Sequence, residues 1–407
     1  MVDRRLRLFL SHLVFGVVLW VVAMVFAHAP NSWFEFIFGP TLWDWQFFNS
    51  AIGYKSFFLL IATGLWVGSV SIDLGVNRLV VLILLSVVPL LLLKPWIAFW
   101  IGSLPLLAFA TNLIIDRWRR RRTLPTEVIV LLILIMLGPF YLVLPWVLSL
   151  THPDWDGVRV LLYSMTGIRT VLYCYDWQIC KKNMSLSSSI IYFLFPAHYL
   201  VNPSWVIAPK PSDLVIAEPD WDLASMVKGL VWLLISILIA MTKLDNSLVR
   251  GIATCAFILF IAEFLTACYR RFGLQFRFSA VNRPWLATSF SDFWNRFLRH
   301  TVQFAKCIFV LPIRRRLRPI ISNKLLLYGL SVALGLALMD IPLHYLGVYS
   351  WESLGQSPFQ PVWWYLILMA MLAYDWIVST LPKSLQHSPA MRWINRSVIL
   401  LVVLSTY

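Results

Sequence analysis

Residues 289–300, SFSDFWNRFLRH, gather an acid, an amide, two arginines and a histidine in a chain that is 60% hydrophobic and only 13% charged. Polar groups in apolar surroundings are costly unless they are paired or used. The spacing here is helical. Ser289 and Asp292 stand three apart, the S-x-x-D arrangement that caps a helix start. Asp292 and Arg296 stand four apart, so carboxylate and guanidinium share a face and can pair. Phe293, Phe297, His300 and Phe304 form one stripe, with Trp294, Leu298 and Thr301 beside it. This pattern predicts an interfacial amphipathic helix whose charged face contacts headgroups or lines an aqueous entrance.

Other polar residues interrupt apolar runs. Asp340 and Asp375 lie mid-run, and Glu263 lies within ILFIAEFLTACYRR. Ionisable groups inside a membrane are candidates for function. Each could instead pair with a buried arginine such as Arg169. His198 and Asn202 are four apart in YFLFPAHYLVNPSW, between the helix breakers Pro196 and Pro203. They could line a cavity or mark a structural kink. For His12, His28, His152 and His387, near predicted helix ends, anchoring at the interface suffices.

The elements that must position these residues are membrane spans. Charged residues are about half as frequent as in soluble domains, and mean hydropathy is +0.76 over 407 residues. Apolar runs of spanning length recur near 8–28, 52–72, 78–93, 95–115, 126–150, 157–178, 226–243, 250–269, 324–348, 361–381 and 393–407. The fold class that follows is all-α: a polytopic transmembrane bundle of about ten or eleven helices, forming one domain over 1–407. The first run could be a signal peptide, but it is long enough to span and reads as a retained helix. The net charge of +15 does not point to nucleic acid, because the basic residues form short clusters between apolar runs. DRRLR at 3–7 and RWRRRR at 117–122 are separated by four runs, which puts both on the cytoplasmic face. RR at 270–271 and RRRLR at 314–318 cannot both be cytoplasmic by simple crossing, so re-entrant or broken helices are expected in the second half. Residues 31–48, rich in aromatics, read as an interfacial helix on the opposite face. Five cysteines without a CxxC pair give no expectation of disulfides or a zinc site.

Residues 276–317 resemble the signature of the membrane-bound O-acyltransferase superfamily, especially its wax-synthase-like branch. Asn282, Pro284, Thr288, Ser289, Asp292, Phe293, Trp294, Arg296 and Pro312 carry the match, over about 35 residues. The resemblance implies a bundle of roughly ten helices around a tunnel, with the motif region at 280–348. It implies acyl-CoA as donor, a hydrophobic alcohol or lipid as acceptor, and a late-helix histidine as general base on the acceptor hydroxyl. Imidazole suits that task because its ordinary pKa lies near neutrality. Two departures stand out. Many family members carry Trp-His after the arginine, whereas this chain reads Phe297-Leu298-Arg299-His300. The base position of the family, aligned on Gly335, reads Leu338. The next acid is Asp340 and the next histidine His344, beyond Pro342, which could shift the register by breaking the helix.

The activity implied is transfer of an acyl group from acyl-CoA to a hydroxyl on a hydrophobic small molecule or lipid. His344 would be the base, with Asp340 and His300 as further catalytic candidates. Asn282, Ser289, Asp292, Trp294, Arg296, Arg299 and His198 would line the substrates, the two arginines suiting CoA phosphates by charge and planar geometry. No metal and no cofactor beyond acyl-CoA is implied. The alternative is a protein of the same fold without acyl transfer, either a terpenoid cyclase or isomerase using Asp340 or Asp375 as a buried acid, or a lipid-binding subunit. A transporter gains little, since the two halves show no repeat. The expected location is a bacterial inner membrane or the endoplasmic reticulum. Self-association is left open.

Overall fold

The computed structural model describes residues 2–28, 54–93, 169, 172–173, 175–176, 185–194, 211–242, 244, 246–276, 281–297, 299–345 and 360–405. These are mostly helical. The expected runs at 95–115 and 126–150, the interfacial segment 31–48, Arg119 and His198 lie outside them.

The apolar runs become helices close to the expected bounds: α1 Val2–His28, α2 Tyr54–Asp73 and α3 Arg78–Leu93. A further helix, α4 Leu186–Leu194, falls where no run is expected. The paired helices α5 Leu223–Met241 and α6 Ser247–Arg271 follow. Residues 6–28, 223–241 and 248–271 are long and apolar enough to cross a membrane. Within those spans 72% of α6 is buried, against 28% of α1 and 22% of α5, which puts α6 at the centre and the others at the rim. Large apolar side chains such as Val17, Val21, Leu234 and Leu238 remain exposed, as lipid-facing positions do. Phe26 of α1 lies against Phe257 and Phe260 of α6. Ser236 donates to the Ala253 carbonyl at 3.0 Å, a hydrogen bond between α5 and α6 within the apolar layer.

The two paired helices are tied at one end by polar caps. Asp222 accepts from the Ser225 N–H at 3.0 Å, starting α5, and from Arg270 at 2.7 Å, near the end of α6. Gly273 terminates α6 in the left-handed region, φ 68°, where a Cβ would meet the Ala217 carbonyl. The chain on either side then pairs as two short antiparallel strands, β1 Leu214–Ile216 and β2 Leu274–Phe276. This pair is a small addition to the helical fold class. Arg78 at the start of α3, Asp73 at the end of α2 and Arg270 and Arg271 all gather here, so 270–271 shares the end of the bundle where α1 begins.

After β2 come the motif segment, α7 Phe290–Phe297 and α8 Arg299–Phe304, a π-helical turn over Ala305–Val310, and α9 Leu311–Leu317. Then follow α10 Lys324–Tyr345, α11 Gln360–Thr380, the single turn α12 Lys383–Gln386 and α13 Pro389–Ser405.

Candidate functional site

The motif helix α7 is built as its spacing predicts. The Ser289 hydroxyl accepts from the Asp292 N–H at 3.0 Å, and Asp292 accepts from Arg296 Nε at 2.8 Å. Phe290, Phe293 and Phe297 form the buried stripe. That stripe belongs to one buried cluster with Ile258 and Leu259 of α6, Met371 of α11, and Ile399 and Val403 of α13.

Asp375 of α11 holds it there. Its carboxylate accepts from the N–H groups of Phe290 (2.7 Å) and Ser291 (2.8 Å) and from the Ser291 hydroxyl (2.8 Å). The sequence leaves this acid either a functional role or a pairing with an arginine such as Arg169. It caps a helix N-terminus instead, where unsatisfied N–H groups and the helix dipole both favour a carboxylate. Next to it, Tyr374 meets the Phe290 ring edge-on and donates to Asn395 of α13 at 2.7 Å.

Around α7, Arg283 holds a left-handed conformation, φ 46°, immediately before the Pro284–Leu286 turn. The Trp285 ring then lies 6.0 Å from Trp232 of α5. Asn282 is exposed, and its N–H donates to the Arg296 carbonyl at 2.7 Å. Trp294 is half-buried against Phe293, and its indole N–H has no acceptor among the described residues. Arg296 is 31% exposed. Only its Nε is engaged, and none of the described residues accepts from its two Nη groups. Arg299 lies half-buried at the start of α8.

His300 falls in α8, and Asp340 and His344 fall in α10; their side chains lie outside what is described. The helix α10 runs unbroken through Pro342 to Tyr345, so the proline does not shift the register. It does leave the Leu338 carbonyl without its usual donor four residues on. At Gly335 the helix touches the π-helical turn so closely that a Cβ would stand 2.7 Å from Val310 Cγ2. Leu327, Ser331 and Gly335 are buried on that face. Leu338 belongs to the same face, about 20° round from Leu327 at 100° per residue, yet it is 50% exposed. With Leu330 and Leu334 it continues an exposed apolar stripe along α10; it is the position that the resemblance aligns with the base. Positions 340 and 344 lie about 160° and 120° round the axis from it.

A second polar constellation was missed by sequence reasoning. His12 Nε2 lies 2.8 Å from Asp73, and Arg271 Nη2 lies 2.5 Å from the same carboxylate oxygen. Arg271 also donates to the Ser69 hydroxyl (2.6 Å) and carbonyl (2.9 Å), and the Ser69 hydroxyl lies 3.4 Å from His12 Nδ1. Trp221 covers the guanidinium at 4.3 Å. The ring closes with the Nε2–H tautomer of His12, and it joins α1, α2 and α6. His12 is thus a member of this ring. Burial raises the Asp73 pKa, but the hydrogen bond and charge of Arg271, with His12 behind them, bring it below the ordinary aspartate value. Arg169, fully buried, donates to the carbonyls of Tyr192 (2.8 Å) and Phe193 at the end of α4. Among the described residues no three His, Cys, Asp or Glu side chains are placed to hold a metal ion.

No protein-family model matches this sequence, and a search of curated proteins found no match.

Proposed function

We propose that the chain is an integral membrane O-acyltransferase that moves an acyl group from acyl-CoA to the hydroxyl of a hydrophobic small molecule or lipid. The observation that carries this reading is Arg296. It is oriented through Nε by Asp292, is partly exposed, and has no acceptor on its two Nη groups among the described residues. A planar fork of donors held in this way suits a phosphate of CoA. In the transfer, the acceptor O–H gives its proton to a base as the oxygen bonds to the thioester carbon. The carbon–sulfur bond then breaks and the CoA thiolate takes up a proton. His344 is the base in this reading, with Asp340 orienting it; His300, four residues past Arg296, is the other imidazole candidate.

One observation favours a second reading. The helix is continuous and Leu338 occupies the base position, so a protein of the same build without acyl transfer would look alike here. That protein would be a membrane cyclase or isomerase, or a lipid-binding subunit. The deciding assay is CoA release from acyl-CoAs of several chain lengths with a panel of hydrophobic alcohols. A general base contributes about a hundred- to ten-thousand-fold, so His344→Ala and His344→Gln should both lose at least the lower figure, and Asp340→Asn should lose less. A silent His344→Ala beside an inactive Asp340→Asn would reject the histidine base in favour of a buried acid.

A further inference from the structure

We infer that Asp375 is a positioning residue for the donor site, acting through Arg296 from another helix; this rests on the donor-site reading above. The helix α7 has only eight residues, too few to hold a helix by itself. Its first free N–H groups are taken in two ways. Ser289 takes that of Asp292, a local cap, while Asp375 takes those of Phe290 and Ser291 from 85 and 84 residues away. The Ser291 hydroxyl adds a third bond to the same carboxylate. The other end of α7 is pinned by the Asn282 N–H on the Arg296 carbonyl. A carboxylate at a helix N-terminus gains from charge-assisted bonds and from the helix dipole together. Arg296 lies six residues beyond Phe290, about 9 Å along the axis, so a tilt of about 10° at the cap moves it about 1.6 Å. Displacements of that size are enough to remove a phosphate contact that depends on fork geometry. The placement of Asp375 is itself braced, since Tyr374 ties α11 to Asn395 of α13.

The test is a double-mutant cycle read as acyl-CoA affinity, with a non-hydrolysable thioether analogue of palmitoyl-CoA on purified, detergent-solubilised protein. Asp375→Ala should weaken binding roughly tenfold to a hundredfold. Asp375→Asn, which keeps one acceptor oxygen, should weaken it less, roughly threefold to tenfold. If Asp375 acts through Arg296, adding Asp375→Ala to Arg296→Ala should cost no more than about a further twofold. A merely structural role would instead multiply the two losses, and that result overturns the inference. So does unchanged affinity in Asp375→Ala while hydrogen exchange shows the Phe290 and Ser291 amides released; the donor-site reading would then survive. Where Asp375→Ala does not fold, Asp375→Asn and Ser291→Ala carry the same cycle. Failure of the wild-type protein to bind the analogue overturns the donor-site reading and this inference with it.

Discussion

Replacing Asp73 by asparagine should destabilise the protein by about 3 kcal/mol, and removing its partner's charge should restore most of that. The figure follows from what the substitution strands. Arg271 is 2% exposed, and its counter-charge is the Asp73 carboxylate at 2.5 Å. The remaining ties, to the Ser69 hydroxyl and carbonyl and the face of Trp221, satisfy donors but do not neutralise charge. Breaking a buried pair by deleting one partner costs about 3–5 kcal/mol. The lower end applies because Asp73 is itself 27% exposed, so water can partly replace it. About 3 kcal/mol is a little over two decades in the ratio of folded to unfolded protein. The assay is the thermal midpoint of the monomer peak in detergent for Asp73→Asn, Arg271→Met and the double variant. The double variant removes the charge with its partner and keeps much of the arginine's apolar stem, so it should lie close to wild type. An Asp73→Asn midpoint equal to wild type, or a double variant worse than either single one, would refute the buried-charge argument.

The same pair predicts an acid response. Because the Asp73 pKa is lowered in the folded state, its contribution is present above the unfolded value and lost as pH falls through the folded one. The gap between wild type and Asp73→Asn should therefore close below about pH 4, read as midpoints across a pH series. Gly335→Ala would set a methyl 2.7 Å from Val310 Cγ2 and 3.2 Å from its backbone. It should cost about 1–3 kcal/mol in the same assay, with Val310→Ala relieving only the side-chain part. Leu338→Cys should react with a membrane-permeant maleimide at least about tenfold faster than Ser331→Cys, because Leu338 is half-exposed and Ser331 is fully buried on one face. Equal rates would refute the exposed placement of Leu338 and the buried placement of Ser331.

How much could be read without coordinates divides along sequence separation. Apolar run length determined the helices α1, α2, α3, α5, α6, α10, α11 and α13, since a bilayer demands about twenty apolar residues per span. Spacing of three and four determined the Ser289 cap and the Asp292–Arg296 pair, because helical neighbours meet whatever surrounds them. Polar residues in apolar runs were recognisable as special, but their partners were not. Asp375 finds backbone N–H groups 84 and 85 residues earlier, and Arg271 finds Ser69 at a separation of 202. Such contacts depend on which helix faces pack together, and hydrophobic periodicity does not encode that. Tertiary structure alone decided that Asp375 of α11 caps α7, and that α10 lies against the π-helical turn at Gly335. The reason is steric as well as electrostatic. Glycine at 335 admits an approach to Val310 that any Cβ, at 2.7 Å from its Cγ2, would block.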